Sequence, residues 1–240
     1  MEDIVRVTGL TKEYGQGEVA VHALRGVDLA IRAGDFTAMA GPSGSGKTTL
    51  LNLIGGLDRP TSGDVAIEGR SIGTLSMSAL SRLRRDRIGF IFQSYNLIPV
   101  LTALENAEYV LMLQGVPAAE RRDKVRHILK EVGLEGLERR FPRELSGGQQ
   151  QRVAIARAVV SEPALVLADE PTANVDSKTA VGLLDLMARL NEEKGATFLF
   201  STHDQAVMKR ARKLLLMQDG QMAYAGDPVD KMCEENDGRE

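Results

Sequence analysis

The sequence has 240 residues, of which 43% are hydrophobic and 26% charged, and its formal net charge is −3. This length allows one large α/β domain with a substantial core, and the charge balance argues against a nucleic-acid-binding protein. The only cysteine, Cys233, cannot form a disulfide within the chain, which is typical of a reducing compartment. Neither a signal peptide nor an apolar run of about 18 residues is recognisable, so we expect any membrane-spanning part on another chain.

Short apolar segments predict strands that alternate with helices. Val27, Leu29 and Ile31 alternate with polar or small residues and predict a strand with one buried face. The pattern then predicts a helix over 47–54 and a mostly helical region from about 95 to 160. Further strands are predicted at 36–40, 88–92, 165–168 and 198–200, with a hairpin of 213–217 and 221–225 around Asp219-Gly220. This alternation favours a mostly parallel sheet that is covered on both faces.

Candidate functional residues follow the C-terminal ends of several predicted strands. They are Gly41, Gln93, Asp169 and His203. Open α/β sheets bind their ligands at these strand ends, so we expect one ligand site there.

Residues 41–48 match the phosphate-loop pattern G-x-x-x-x-G-K-[ST] in full. Glycines let backbone N–H groups wrap around phosphate, and the start of the following helix favours the same anion. In such a loop Lys47 reaches the β- and γ-phosphates and the Thr48 hydroxyl ligates Mg²⁺. The alternative is a flexible Gly/Ser loop, but the strand before it and the helix after it favour phosphate binding.

An acidic pair, Asp169 and Glu170, directly follows the predicted strand at 165–168. Such a pair is also common as a helix cap or in a solvated loop. Beside a phosphate loop, however, nucleotide hydrolysis needs a carboxylate near the metal, and Asp169 fits that role. Glu170 can then orient or deprotonate the attacking water.

A second glycine motif, Leu145-Ser146-Gly147-Gly148-Gln149, begins a predicted helix. Ser146 is a suitable N-cap, and two glycines at a helix start form another anion-binding site. The alternative is a capped helix with a glycine turn. Because the phosphate loop already provides one cradle for a nucleotide, a second cradle on the same chain requires an explanation.

This second motif resembles the signature motif of ABC ATPases, and the resemblance extends over nearly the whole chain. It implies an α/β P-loop NTPase of the ABC ATPase fold, with a mostly parallel RecA-like sheet, an N-terminal antiparallel β subdomain and an inserted helical subdomain. The implied bounds are one ATP-binding domain over 1–228, with the core and β subdomain at 1–93 and 161–228, the helical subdomain at about 94–160, and an acidic tail at 229–240.

The resemblance also implies roles for single residues. Tyr14 stands where the family stacks an aromatic ring on adenine, and His203 matches the switch histidine that contacts the γ-phosphate. Gln93 matches the glutamine that contacts the metal and the attacking water and senses the membrane partner. Asn174-Val175-Asp176 resembles the D-loop; Ala173 and Val175 stand where close relatives usually have Gly and Leu, and we expect a small effect at most.

The predicted catalytic residues are Gln93, Glu170 and His203, and the predicted metal ligands are Thr48, Gln93 and Asp169. The predicted nucleotide-binding residues are Tyr14, Gly41, Pro42, Ser43, Gly44, Ser45, Gly46, Lys47, Thr48, Thr49, Ser146, Gly147, Gly148, Gln149 and Asp176. The resemblance implies ATP and Mg²⁺ as ligands and a head-to-tail homodimer, in which each signature closes over the ATP of the other copy. It further implies a permease-like membrane subunit on a separate chain, no nucleic-acid partner, and a peripheral location on the cytoplasmic face of the inner membrane.

Three stretches, Gly55–Asp58, Gly89–Pro99 and Leu101–Asn106, most resemble one branch of the family. This branch contains the ATPases of lipoprotein release, macrolide and peptide export and the cell-division complex, and it works by mechanotransmission. Residues 94–105 are rich in apolar side chains. They either cap the core of the helical subdomain or form a groove for a short helix of the membrane subunit.

Two other functions remain open at this stage. One is a soluble ABC ATPase of DNA repair or translation, although such chains usually carry tandem domains, long coiled coils or basic patches. The other is a regulatory module that is clamped by ATP without turnover, against which Glu170 and His203 argue. Small kinases and GTPases lack the motif at 145–149.

Overall fold

The computed structural model describes residues 3–15 and 20–228. Within them the chain forms two compact units: the first runs up to Leu80 and resumes at Thr197, and the second is Ser81–Ala196. The predicted tail at 229–240 lies outside the described residues, and the implied subdomain bounds stay a prediction. None of the helices in the described ranges combines the length and the apolar character needed to cross a lipid bilayer.

In chain order, the strands and helices are β1 Asp3–Tyr14, β2 Val21–Arg32, β3 Phe36–Ala40, α1 Lys47–Ile54, β4 Ser62–Ile67, β5 Arg70–Ser71, α2 Met77–Arg87, β6 Ile88–Ile91, α3 Ala103–Leu113, α4 Ala118–Glu131, α5 Gly147–Val159, β7 Leu165–Ala168, α6 Ser177–Lys194, β8 Thr197–Thr202, α7 Gln205–Met208, β9 Lys213–Gln218 and β10 Gln221–Gly226. A 3-10 turn at Pro142–Glu144 precedes α5.

The first unit contains two groups of strands. One is an antiparallel sheet in the order β2-β1-β4-β5, in which Val27, Leu29 and Ile31 are buried as their alternation predicted. In the other group, β8 and β9 flank β3 and run parallel to it, and β10 pairs antiparallel with β9. Asp219 and Gly220 both have positive φ, 50° and 78°, as the tight hairpin turn requires.

Aromatic packing fastens β3 to β8. The ring of Phe36 lies 5.7 Å from that of Phe198 and 4.9 Å from that of Phe200, measured between centroids, and all three are buried. The same parallel register pairs Ala40 with Thr202 at the C-terminal ends of the two strands. The segments that follow, which begin at Gly41 and His203, therefore leave the two strands at the same end.

The second unit contains the parallel pair β6 and β7 and most of the helices. Its register pairs Ile91 with Ala168, so the chain leaves both strands at the same end. Helices α3, α4 and α5 pack against one another, and α5 also packs against β6. Leu111, Val125 and Val153, one from each helix, are buried. The mostly helical region predicted at about 95–160 is confirmed as these three helices and their connections.

Candidate active site

The phosphate loop joins β3 to α1 and closes around the side chain of Lys47. The ammonium group donates hydrogen bonds to the carbonyl oxygens of Gly41, at 2.7 Å, and Pro42, at 2.9 Å, and only 7% of the residue is exposed. Gly46 precedes α1 with φ at 100°, a left-handed conformation that suits glycine. The loop therefore holds a buried positive charge at the start of a helix, where an anion is favoured.

Two further features of the loop fit a phosphate group. A Cβ on Gly41 would lie 2.2 Å from the carbonyl oxygen of Met217, so only glycine fits there. Ser45 Oγ is buried and hydrogen-bonds to no described residue. Buried polar atoms normally have a partner, and a phosphate oxygen would supply one.

Tyr14, the predicted adenine-stacking residue, is held by two neighbours that sequence reasoning missed. Its hydroxyl donates to Asp58 Oδ2 at 2.8 Å, and Lys12 Nζ lies 4.7 Å from the centre of its ring. Lys12 also donates to Asp58 Oδ1 at 2.9 Å. Burial and the hydrogen bond to Asp58 raise the pKa of Tyr14. Burial alone would raise the pKa of Asp58, but the hydrogen bonds from Lys12 and Tyr14 outweigh it and lower that pKa.

His203 follows β8 directly and its side chain is exposed. Asp204, the next residue, donates its N–H to Thr202 Oγ1 at 3.0 Å, which turns the chain away from the strand. Because Ala40 and Thr202 are paired, the structure places His203 beside the start of the phosphate loop, on the neighbouring strand end.

The predicted metal ligand Asp169 and the predicted catalytic residue Glu170 directly follow strand β7 in the second unit. Asp169 donates its backbone N–H to the carbonyl oxygen of Ile91 at 2.9 Å, so the strand pairing continues to this residue. Gln93 lies two residues beyond Ile91, and both carboxylates are half-buried. Glu170 has φ at 44°, which is uncommon for a residue other than glycine and occurs most often at functional sites. Within residues 3–15 and 20–228, no three or more His, Cys, Asp or Glu side chains gather as a metal cage would.

Ser146 caps α5, as its position predicted. Its side chain accepts from the N–H of Gln149 at 3.3 Å, and the Gln149 side chain accepts from the N–H of Ser146 at 2.9 Å. This reciprocal pair is a capping box. Gly147 and Gly148 form the first turn of the helix. The predicted N-cap is thus confirmed, whereas the role of residues 146–149 in nucleotide binding stays a prediction.

Asp176, in the segment that resembles the D-loop, is the N-cap of α6. Its carboxylate accepts from the N–H of Thr179 at 3.0 Å and from the Thr179 hydroxyl at 2.6 Å. These hydrogen bonds lower the pKa of Asp176. The structure therefore gives Asp176 a structural role, whereas its predicted role in nucleotide binding stays a prediction.

The first unit thus contains Tyr14, residues 41–49 and His203, and the second contains Gln93, Asp169, Glu170, residues 146–149 and Asp176. Sequence reasoning missed two sets of contacts, those of Asp58 with Lys12 and Tyr14 and those of Tyr95 with Arg157 and Asn174. No local pattern marks these contacts, since the partners of Asp58 and Tyr95 are 44 and 79 positions away along the chain.

Comparison with known proteins identifies the family. The family model described as "ABC transporter" matches residues 24–173. The chain is 44% identical to an uncharacterised ABC transporter ATP-binding protein, MJ0796, of Methanocaldococcus jannaschii, over 91% of this chain and 95% of that protein. It is 46% identical to the lipoprotein-releasing system ATP-binding protein LolD of Anaeromyxobacter dehalogenans, over 92% and 93%. It is 44% identical to the macrolide export ATP-binding/permease protein MacB of Marinobacter nauticus, but covers only 34% of that longer protein.

Solved structures agree with these relatives. A dimeric, post-hydrolysis state of the ATP-binding cassette MJ0796 bound to ADP and Pi has a TM-score of 0.87 at 43% identity, over 93% of this chain and 98% of that chain. CbiO1 of Clostridium perfringens, part of the ABC transporter complex CbiONQ, has a TM-score of 0.89 at 30% identity, over 100% and 94%. The ABC ATPase fold predicted from the sequence is therefore confirmed, and this chain belongs to the ABC transporter family as one of its ATP-binding, ATP-hydrolysing subunits.

Proposed function

We propose that two copies of this chain bind two ATP molecules head to tail, with the signature helix of each copy closing over the ATP of the other. The observation that carries this proposal is that one chain contains two separate helix starts suited to anions. One is α1 behind the phosphate loop, and the other is α5 behind the capped Ser146. The similar MJ0796 cassette is dimeric when bound to ADP and Pi, which supports a nucleotide-bound dimer for this chain as well.

The chemistry of the site follows from the residues themselves. Lys47 stabilises the charge of the β- and γ-phosphates through charge-assisted hydrogen bonds, exchanging its two carbonyl acceptors for phosphate oxygens. Glu170 orients or deprotonates the attacking water. His203 donates a hydrogen bond to the γ-phosphate as charge develops there. Tyr14 stacks on the adenine ring.

The predicted metal ligands fit Mg²⁺. Thr48, Gln93 and Asp169 all offer oxygen atoms, and Mg²⁺ prefers oxygen ligands, usually one or two from the protein together with substrate phosphates and water. When bound there, Mg²⁺ would neutralise charge on the phosphates during transfer. The three side chains would hold and orient it.

We further propose that the chain drives a membrane subunit carried on a separate chain, and that it works peripherally on the cytoplasmic face of the inner membrane. The relatives named for lipoprotein release and macrolide export favour one of these two types of cargo. Exposed apolar side chains of the second unit support this proposal. Val100 is 76% exposed, and on α3 Tyr109, Met112 and Leu113 are exposed at a helical spacing. Such apolar anchors suit a short helix of the partner.

Dimerisation can be tested with a variant that binds ATP but does not hydrolyse it. Glu170→Gln removes the carboxylate that would act on water and keeps the size of the side chain. With MgATP, this variant should elute as a stable dimer in size-exclusion chromatography, whereas the nucleotide-free protein should elute as a monomer. The variant should also lose nearly all turnover.

The matched control is Glu193→Gln, which makes the same chemical change at an exposed position of α6. It should hydrolyse ATP like the wild type and give no trapped dimer. A Glu170→Gln protein that stays monomeric at saturating MgATP would contradict the head-to-tail arrangement.

A further inference from the structure

The segment after Gln93 has an unusual backbone conformation. Tyr95 and Asn96 are consecutive residues with positive φ, 60° and 47°. Positive φ is rare outside glycine, and a bulky aromatic residue adopts it only where its surroundings hold it. Within the segment itself, the backbone N–H of Tyr95 donates a hydrogen bond to the carbonyl oxygen of Phe92, and the N–H of Asn96 donates to that of Ser94. The contacts that hold this segment come from elsewhere in the second unit.

The signature helix supplies the first of these contacts. Arg157, on α5, donates to the carbonyl oxygen of Tyr95 at 2.8 Å and to that of Asn96 at 2.6 Å. Burial lowers the pKa of this arginine, but a guanidinium remains charged in proteins. Its rigid fork therefore fixes two successive carbonyl groups of the segment relative to α5.

The segment that resembles the D-loop supplies the second contact, in both directions. The hydroxyl of Tyr95 donates to the carbonyl oxygen of Asn174 at 3.1 Å, and Asn174 Nδ2 donates to the carbonyl oxygen of Gln93 at 3.0 Å. Burial raises the pKa of Tyr95, and since a tyrosine hydroxyl is already protonated at neutral pH, it acts here as a donor. The two hydrogen bonds tie residues 93–95 to Asn174 at two points.

The same hydroxyl lies against the start of α5. A Cβ placed on Gly147 would be 2.8 Å from Tyr95 Oη, whereas its next neighbours would be the carbonyl oxygen of Asn174 at 3.5 Å and Tyr95 Cζ at 3.8 Å. Only the hydroxyl is too close, since the other two distances are ordinary van der Waals contacts. The hydroxyl of Tyr95 therefore touches the signature glycine and the D-loop segment at once.

We propose that Tyr95 is a positioning residue for ATP hydrolysis, whose hydroxyl holds the Gln93 segment, the D-loop segment and the first turn of the signature helix in one arrangement. The inference rests on the functions proposed above for Gln93 and residues 146–149. If residues 93–95 and Asn174 move apart, the hydrogen bond between Tyr95 Oη and the Asn174 carbonyl breaks. If the first turn of α5 moves away, the contact between Tyr95 Oη and Gly147 is lost. In the proposed dimer, Gln93 faces the ATP of its own subunit and the signature faces the ATP of the partner. The side chain of Tyr95 thus links the segment that faces one ATP to the segment that faces the other.

The contact itself is tested by melting the nucleotide-free protein. Gly147→Ala should lower Tm in the wild-type background, because the new methyl group displaces the Tyr95 hydroxyl from Asn174. In the Tyr95→Phe background, the same change should leave Tm unchanged or raise it, because the close atom is gone and alanine favours a helix over glycine. Equal losses of Tm in the two backgrounds would overturn the proposed contact.

The positioning role is tested by steady-state kinetics. Tyr95→Phe should lower kcat about 2- to 10-fold, the range expected for one lost hydrogen bond. KM for ATP should change by less than about two-fold, because Tyr95 is not proposed to touch nucleotide. The control is Tyr224→Phe, which removes a hydroxyl that also donates to a backbone carbonyl, that of Asp227 at 2.9 Å, and which should leave both constants unchanged.

The outcomes separate this inference from the proposed function. If Glu170→Gln forms the ATP dimer but Tyr95→Phe turns over like Tyr224→Phe, the positioning role is wrong and the proposed function stands. If Glu170→Gln forms no dimer, the proposed function fails, and the melting experiment still decides whether Tyr95 joins the segments.

Discussion

Replacing Asp58 with alanine should weaken ATP binding, although Asp58 itself is not proposed to contact the nucleotide. Asp58 accepts hydrogen bonds from Lys12 Nζ at 2.9 Å, from the Tyr14 hydroxyl at 2.8 Å and from the N–H of Arg59 at 2.7 Å. In Asp58→Ala all three are lost, and the ring of Tyr14 loses the anchor that sets its orientation. We therefore expect both a lower stability and a higher KM for ATP.

The size of each effect follows from the geometry. Hydrogen bonds to a charged group contribute about 1.5–3 kcal/mol each when buried, but the Asp58 side chain is 32% exposed, and solvent reduces such contributions. A total loss of about 1–2 kcal/mol in the free energy of unfolding corresponds to a fall in Tm of about 2–8 °C.

The effect on ATP binding comes from the Tyr14 ring. Stacking of a base on an aromatic ring contributes about 1–3 kcal/mol. Losing about 1 kcal/mol of it raises KM about five-fold.

The assay compares ATP with a competitor that has no base. KM for ATP should rise in Asp58→Ala, whereas the inhibition constant of inorganic triphosphate should not change, because the phosphate loop is intact. Asp123→Ala is the control: Asp123 is 80% exposed, and its ion pair with Arg126 is 3.9 Å long. If affinity for triphosphate falls as much as affinity for ATP, Asp58 acts on the whole site and the reasoning about Tyr14 is wrong.

Four further predictions follow from the site and its surface. Lys47→Ala should lose most nucleotide affinity in equilibrium titrations, because the phosphates lose a charge-assisted contact; unchanged affinity would contradict the role of the loop. Asp169→Asn should impair Mg²⁺-dependent hydrolysis more than nucleotide binding, and equal hydrolysis would contradict a metal ligand. Val100→Glu should keep the wild-type Tm and basal turnover but lose co-purification with the membrane subunit. The control Val21→Glu, at another exposed position, should keep co-purification as well. If Val100→Glu still co-purifies, the membrane subunit docks elsewhere. Because the pKa of Asp58 is lower in the folded protein than in the unfolded chain, its ionised carboxylate stabilises the fold above about pH 3.9. This contribution disappears as the pH falls through the lowered pKa. The difference in Tm between wild type and Asp58→Ala should therefore become smaller in acid.

Sequence reasoning succeeded where the determining interactions are local. The helix at 47–54 and the strand at 165–168 were predicted with the observed bounds, because a glycine ends the first and an acidic pair follows the second. The cap at Ser146 was predicted because its partner Gln149 lies three residues away. Strand β4 carried a usable signal that was not used, the alternation of Val65 and Ile67, both of which are buried.

The sequence could not predict contacts between distant segments. Tyr95 belongs to a stretch that resembles one branch of the family and to an apolar run, and neither pattern predicts that it is half-buried and hydrogen-bonded to Asn174. Nothing in a run of apolar residues reveals a tyrosine hydroxyl directed at another loop. The apolar stretch also divides: Val100 is exposed, whereas Leu97 and Leu101 are half-buried. The choice between core and docking surface therefore differs from residue to residue.

The hold of the phosphate loop on Lys47 has a kinetic consequence. The ammonium group is already buried and bonded to the carbonyl oxygens of Gly41 and Pro42, so the conformational entropy of this long side chain is lost on folding rather than on binding. An arriving phosphate exchanges acceptors and orders little additional chain, which reduces the entropic cost of association. Nucleotide association at this loop should accordingly proceed in a single phase at a rate set by diffusion and charge, without a slow ordering step.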